Sequence, residues 1–123
     1  MSLEKPDVNE YPHIVNLVDP RGLYRLLQDY LMWLRVKNYS PYTLHNREIY
    51  LLAFIEWAGG RGLMRPTEIT KPILERYQRH LFYYRKKNGD PLSKQDQCNR
   101  SVALRHWFKW LARHNYILYN PAS

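Results

Sequence analysis

Residues 89–113 decide the fold and read G-D-P-L-S-K-Q-D-Q-C-N-R-S-V-A-L-R-H-W-F-K-W-L-A-R. Gly89 and Pro91 favour the end of one helix, and Ser93 is a typical N-cap for the next. Because a helix repeats every 3.6 residues, the predicted helix has an apolar face and an opposite basic face. The apolar face holds Leu104, Trp107, Phe108 and Leu111, and the basic face holds Lys94, Arg105, Lys109 and Arg113. Such a helix can pack on a core with one side and contact a polyanion with the other.

The same kind of start signal precedes three other apolar stripes. Asp-Pro at positions 19–20 and Ser-Pro at 40–41 combine an N-cap acceptor with a proline whose φ is already helical. Thr70 introduces the third stripe, and apolar residues recur at three- and four-residue spacing after each signal. No stretch alternates like a strand, so we expect an all-α fold, a compact four-helix bundle. The predicted helices lie near residues 20–37, 42–58, 71–88 and 93–113.

The charge of the chain is unevenly distributed. Its 123 residues have a formal net charge of +8. Residues 1–20 hold four acidic side chains and one basic one, whereas residues 21–123 hold 18 basic and seven acidic ones. This balance favours a polyanionic partner for the body of the chain, although a basic balance also serves solubility alone.

The chain lacks the patterns of a secreted, membrane or metal-binding protein. Its single cysteine, Cys98, allows no internal disulfide framework and no cysteine-based metal site. No apolar run approaches the length of a membrane span, and the N-terminus has no signal-peptide core. The five histidines fit no ligand spacing, and the hydroxyl residues at helix starts are better explained as caps than as nucleophiles. We therefore expect a cytoplasmic protein with no catalytic residue, metal, cofactor or small-molecule substrate.

Polar side chains in the first turns of the second and fourth helices are candidates for nucleic-acid contact. They lie off the apolar stripes, beside helix N-termini whose backbone N–H groups suit phosphate. The basic triplet at 85–87 is expected to end the third helix, where it suits the negative end of the helix dipole. Amide and guanidinium groups can read base edges, whereas lysine and threonine more often hold phosphate. The candidates are Tyr42, Thr43, Asn46, Arg47, Lys86, Lys87, Lys94, Gln95, Gln97 and Arg105.

Three stretches carry a family resemblance. In the first, residues 39–44 read Y-S-P-Y-T-L, and Leu51, Phe54 and Trp57 follow at helical spacing. The other two comprise Ile69, Thr70, Tyr77 and Leu81, then Pro91, Leu92, Ser93, Arg100, Ala103, Leu104, Arg105, Phe108, Trp110, Leu111, Asn120 and Pro121. In this order and spacing they resemble the N-terminal core-binding domain of tyrosine recombinases of the Xer and phage-integrase type, over residues 22–123.

The resemblance implies a SAM-like helical fold that forms half of a C-shaped clamp on duplex DNA. Domains of this kind present the N-terminal parts of their second and fourth helices to the major groove, and Arg100 joins the candidate contacts on this ground. The resemblance also implies a parent protein that assembles as a tetramer on DNA. Its active site would lie in a separate C-terminal domain, so this chain is expected to bind DNA and not to be an enzyme by itself. We accordingly expect an N-terminal arm at 1–18, the core-binding domain at 19–119 and the start of a linker at 120–123.

Two other functions fit the same sequence. A SAM-like protein-interaction bundle would use its charge for solubility, and its polar first turns would be ordinary solvated surfaces. A basic helical regulator would bind DNA or RNA without belonging to a recombinase. Salt-dependent binding to duplex DNA separates the protein-interaction bundle from the two nucleic-acid binders.

Overall fold

The computed structural model describes residues 5–14 and 17–122 of the chain. Within this part the structure has no strand, and an isolated antiparallel bridge pairs Arg85 with Pro91. The prediction of an all-α fold with four main helices is confirmed. The helices are α1 (Leu23–Val36), α2 (Pro41–Gly59), α3 (Lys71–Tyr83) and α4 (Lys94–Arg113), with short 3₁₀ turns at Val8–Glu10 and Pro66–Glu68.

The helices divide into two compact units. The first unit is Met1–Glu68 and contains α1 and α2, and the second is Ile69–Ser123 and contains α3 and α4. The predicted domain at 19–119 includes residues of both units, and its bounds stay a prediction.

The first unit is built on the apolar stripe of α1, which lies where its periodicity predicts. The start of this helix is different from the prediction, because α1 begins at Leu23 and its N-cap is Gly22. Asp19 does not cap the helix: its carboxylate accepts hydrogen bonds from the Arg21 N–H (3.0 Å) and from Arg65 (2.9 and 3.3 Å). The buried residues are Leu23, Leu26, Leu27, Tyr30, Leu31 and Leu34 of α1, with Leu51, Leu52, Phe54, Ile55, Trp57 and Ala58 of α2.

Residues before α1 are attached to the end of α2. The His13 N–H donates to Glu56 Oε2 at 2.8 Å, and the His13 Nδ1 atom contacts Glu56 Oε1. Ile14 is buried beside this contact. Gly59 lies so close to His13 that a Cβ atom at position 59 would be 2.2 Å from the His13 carbonyl oxygen. Of the predicted arm at 1–18, residues 1–4, 15 and 16 lie outside the described residues.

In the second unit, α3 is five residues shorter than predicted. It ends at Tyr83, and Tyr84 has extended backbone with φ −64° and ψ 140°. Residues 85–90 then form a hairpin loop, which we call the basic hairpin. In this loop the Lys86 N–H donates to the Asp90 carbonyl and the Gly89 N–H donates to the Lys86 carbonyl, both at 2.8 Å. These hydrogen bonds within the loop replace those that would have continued the helix.

Helix α4 agrees with the prediction at both ends and on both faces. The Ser93 hydroxyl accepts a hydrogen bond from the Asp96 N–H at 3.0 Å, as an N-cap does. Trp107 is fully buried, and the four predicted basic residues are exposed. The buried residues of this helix are Ala103, Leu104, Trp107, Phe108, Trp110 and Leu111.

Candidate nucleic-acid interface

The basic hairpin and the start of α4 both carry exposed cations in the second unit. Arg85, Lys86, Lys87 and Lys94 are all exposed. The prediction that the triplet ends α3 was wrong, because the helix ends at Tyr83 and Lys86 and Lys87 lie in the loop that follows. Arg85 still hydrogen-bonds the residues at the end of the helix, because its Nη1 atom donates to the carbonyl oxygens of Phe82 (3.3 Å) and Tyr84 (3.0 Å). The bridge between Arg85 and Pro91 holds the two lysines of the loop next to the residues that lead into α4.

The two glutamines at the start of α4 have different environments. Gln95 is exposed, and its Nε2 atom donates to Asn99 Oδ1 at 2.9 Å on the same helix surface. Gln97 is half-buried, and its amide donates to the Leu92 carbonyl at 3.1 Å. Gln97 therefore helps to close the N-terminus of α4, whereas Gln95 lies on the accessible surface.

Arg100 lies inside a polar cluster of the second unit. Its Nε atom donates to Asp96 Oδ2 at 3.1 Å, and its side chain also hydrogen-bonds Tyr77. Burial raises the pKa of Tyr77 to about 12, although the nearby Arg100 charge and hydrogen bond act in the opposite direction. Arg105, by contrast, is exposed on the opposite side of α4 from its core residues.

The shifted pKa of Tyr77 predicts a loss of stability in strong base. Above its ordinary value of 10.0 the phenol ionises in the unfolded chain but stays protonated in the folded one up to about pH 12. The free energy of unfolding should therefore fall between pH 10 and 12, with a contribution from Tyr77 of about 2–3 kcal/mol. Urea unfolding of Tyr77→Phe should show a smaller fall over this range than the unaltered chain. Tyr119→Phe, at an exposed position, should change nothing. An unchanged slope in Tyr77→Phe would contradict the prediction.

The candidates of the first unit lie at the start of α2. Tyr42 is exposed, as expected, and Thr43 and Asn46 are half-buried. The Thr43 N–H donates to the Ser40 hydroxyl at 3.1 Å, which confirms Ser40 as the N-cap. Arg47 is directed toward α1, because its Nη1 atom donates to the Tyr30 hydroxyl at 2.6 Å.

Three consecutive aromatic residues at the end of α3 were not identified from the sequence. Phe82, Tyr83 and Tyr84 are all exposed. Tyr84 lies just beyond the helix, which ends at Tyr83. The signal was present in the sequence, since three adjacent residues on a helix cannot share one face.

The described part of the chain contains neither a candidate metal site nor a helix that could span a membrane. No group of three or more histidine, cysteine, aspartate or glutamate side chains among these residues is arranged to hold a metal ion. None of the helices there combines the length and the apolar character that crossing a membrane requires.

The chain is similar in sequence to a tyrosine recombinase, which supports the resemblance to that family. Its assignment to the N-terminal core-binding domain stays a prediction. The chain is 49% identical over 109 residues to Tyrosine recombinase XerC 2 of Ralstonia nicotianae. The match covers 86% of this chain and 31% of the relative, so the chain spans about a third of the length of the curated relative. No family model matches the chain. No solved structure matches it.

Proposed function

We propose that this chain is the DNA-binding, core-binding module of a site-specific tyrosine recombinase. The observation that carries the proposal is the basic hairpin, which presents Lys86 and Lys87 next to the exposed start of α4. Cations on a loop that is ordered by its own backbone hydrogen bonds are suited to phosphate, and the adjacent helix start supplies further N–H donors. The relationship to a recombinase and the excess of basic residues support the same function.

Within this module we assign different tasks to the exposed residues. Lys86, Lys87 and Lys94 would neutralise phosphates and set the position of the protein on the duplex. Gln95 and Arg105 carry groups that can read base edges in the major groove. In the first unit, Tyr42, Thr43 and Asn46 would contact DNA at the start of α2. Arg47, Gln97 and Arg100 would act mainly by holding these surfaces in place, since each hydrogen-bonds inside its own unit.

We propose further that this chain binds DNA without cleaving it. A tyrosine nucleophile needs several cationic donors around one phosphate. Tyr30 and Tyr77, whose side chains hydrogen-bond Arg47 and Arg100, are both buried. Cleavage and joining would belong to other parts of a longer recombinase, which would clamp DNA in the cytoplasm as a tetramer.

Reversing the two lysines of the basic hairpin should weaken binding to duplex DNA by tenfold or more at low salt. If about five phosphates are contacted, log affinity should fall with log salt with a slope near −4.5. In Lys86→Glu/Lys87→Glu two of these contacts are lost, so the slope should become shallower by roughly 2. Fluorescence anisotropy with a labelled duplex, repeated over a salt series, measures both quantities. Non-specific binding in the micromolar range or weaker is the expected starting point.

A matched double variant in the first unit is the control. Arg21 and Arg25 are exposed on the surface around the start of α1, and Arg25 pairs with Asp29 at 3.4 Å. Arg21→Glu/Arg25→Glu makes the same change of net charge and should reduce affinity much less. Equal losses in the two double variants would show that binding follows overall charge, and the assignment to the basic hairpin would be rejected. No salt-dependent binding by the unaltered chain would reject the DNA-binding function itself.

A further inference from the structure

The end of α3 leaves a large aromatic surface in water. Phe82 is 60% exposed, Tyr83 70% and Tyr84 45%. The rings of Phe82 and Tyr83 contact each other edge to face, with centroids 5.1 Å apart and an interplanar angle of 87°. Tyr84 packs instead against His80, with centroids 5.9 Å apart. Contiguous exposed apolar surface is typical of sites where a ligand or partner binds, whereas isolated exposed side chains are not.

The residues that follow these aromatics are cationic. Arg85, Lys86 and Lys87 come directly after Tyr84, and all three are exposed. Lys86 lies four positions after Phe82, so their Cα atoms are at most about 14 Å apart even in a fully extended chain. A ligand of one or two nucleotides could therefore meet an aromatic ring and a lysine at the same time.

The combination of exposed rings and cations narrows the chemistry of the ligand. A purely apolar partner would gain nothing from the lysines, and a duplex alone would gain little from the rings, because its bases are stacked inside. A strand with unpaired bases offers both planar apolar faces and phosphates, and aromatic side chains beside a basic groove bind such strands without sequence preference.

We propose that Phe82 and Tyr83 stack on unpaired bases of DNA whose phosphates lie on Lys86 and Lys87. The proposal rests on the proposed function, since both use the lysines of the basic hairpin, and it adds a preference for DNA in which bases are exposed. Unpaired bases of a strand that is opened or bulged near the bound site would stack on the two rings. An intact duplex would contact the lysines but not the rings.

The experiment compares three labelled DNA probes of equal length: an intact duplex, the same duplex with a two-thymidine bulge, and single-stranded oligothymidine. The unaltered chain should bind the bulged and single-stranded probes more tightly than the duplex. Phe82→Ala/Tyr83→Ala should weaken binding to these two probes about fivefold or more and leave duplex binding unchanged, because stacking contributes about 1–3 kcal/mol per base. A 2-aminopurine placed in the bulge should lose fluorescence when the unaltered chain binds, and not when the double variant binds.

Two controls separate stacking from other effects. Tyr119 is 83% exposed in the same unit and is more than 30 positions from the hairpin cations in the sequence, so Tyr119→Ala should bind all probes like the unaltered chain. Phe82→Leu/Tyr83→Leu keeps apolar side chains without rings and should behave like the alanine pair. Far-UV circular dichroism of each variant checks that the helices are intact.

The outcomes distinguish this proposal from the one on which it rests. If the alanine pair binds every probe like the unaltered chain, the stacking site is rejected while duplex binding stands. The same rejection follows if the leucine pair retains full binding to unpaired bases, because apolar contact without ring stacking would then be sufficient. If the unaltered chain binds the bulged and single-stranded probes but not the duplex, the stacking site is supported and the duplex-binding function fails.

Discussion

Replacing Trp107 with alanine should lower the free energy of unfolding by about 3–5 kcal/mol. Trp107 is the largest fully buried side chain in the described part of the chain, and it contacts Phe108 edge to face with centroids 5.5 Å apart. Truncation removes this contact and leaves a cavity that the surrounding helix residues can fill only partly. Since small domains have a total stability of about 5–15 kcal/mol, much of the second unit's stability depends on this one ring.

Urea unfolding followed by far-UV circular dichroism measures the change without using tryptophan fluorescence. Tyr119→Ala, which removes an exposed ring, should change the midpoint very little. Trp107→Phe is a second comparison: the buried Trp107 Nε1 atom has no hydrogen-bond partner among the described residues, so phenylalanine removes an unsatisfied donor. It should therefore cost clearly less than alanine. A near-neutral Trp107→Ala would mean that the ring is not buried.

Replacing Gly59 with alanine should release the residues before α1 and lower the free energy of unfolding by about 2–4 kcal/mol. The added Cβ would lie 2.2 Å from the His13 carbonyl oxygen, a distance that no pair of such atoms tolerates. Because the close atom belongs to the backbone, the segment itself must move. Its movement removes the hydrogen bond from the His13 N–H to Glu56 and exposes Ile14.

Gly60→Ala is a closely matched control for this prediction. A Cβ atom at position 60 would be no nearer than 3.6 Å to any neighbour, and Gly60 already has helical φ and ψ. Alanine there should be neutral or stabilising by up to about 1 kcal/mol. Hydrogen exchange should show faster exchange at the His13 amide in Gly59→Ala and not in Gly60→Ala. Equal behaviour of the two variants would contradict the close approach of His13 and Gly59.

The parts of the fold that were predicted correctly are those that depend on nearby residues. Ser40 and Ser93 cap their helices because the hydroxyl of each accepts a hydrogen bond from the N–H three residues later. The buried stripe of α1 and the two faces of α4 follow from periodicity alone. The predicted domain bounds of 19–119 stay a prediction.

The errors at Asp19, Arg47 and Arg100 occur where residues far apart in the chain determine the result. Asp19 was expected to cap α1, but Arg65 binds its carboxylate from 46 positions away. Arg47 and Arg100 were predicted from the sequence to be surface cations, yet each hydrogen-bonds a buried tyrosine on another helix. The end of α3 was placed five residues too late because the helical pattern continues past Tyr83, while the loop that follows is stabilised by its own backbone hydrogen bonds.

The shape of the basic hairpin also makes it preorganised for the anion that we propose it binds. Fixing the backbone of a flexible residue costs roughly 1–2 kcal/mol of conformational entropy. The backbone of Lys86 is already fixed in the folded protein, so DNA binding does not incur this cost again. Gly89 is necessary for this order, because its φ of +88° is one that side-chain-bearing residues rarely adopt. The affinity for a polyanion should therefore depend on Gly89, which has neither charge nor side chain. Its effect is to limit the conformational entropy that Lys86 and Lys87 of the same loop lose on binding.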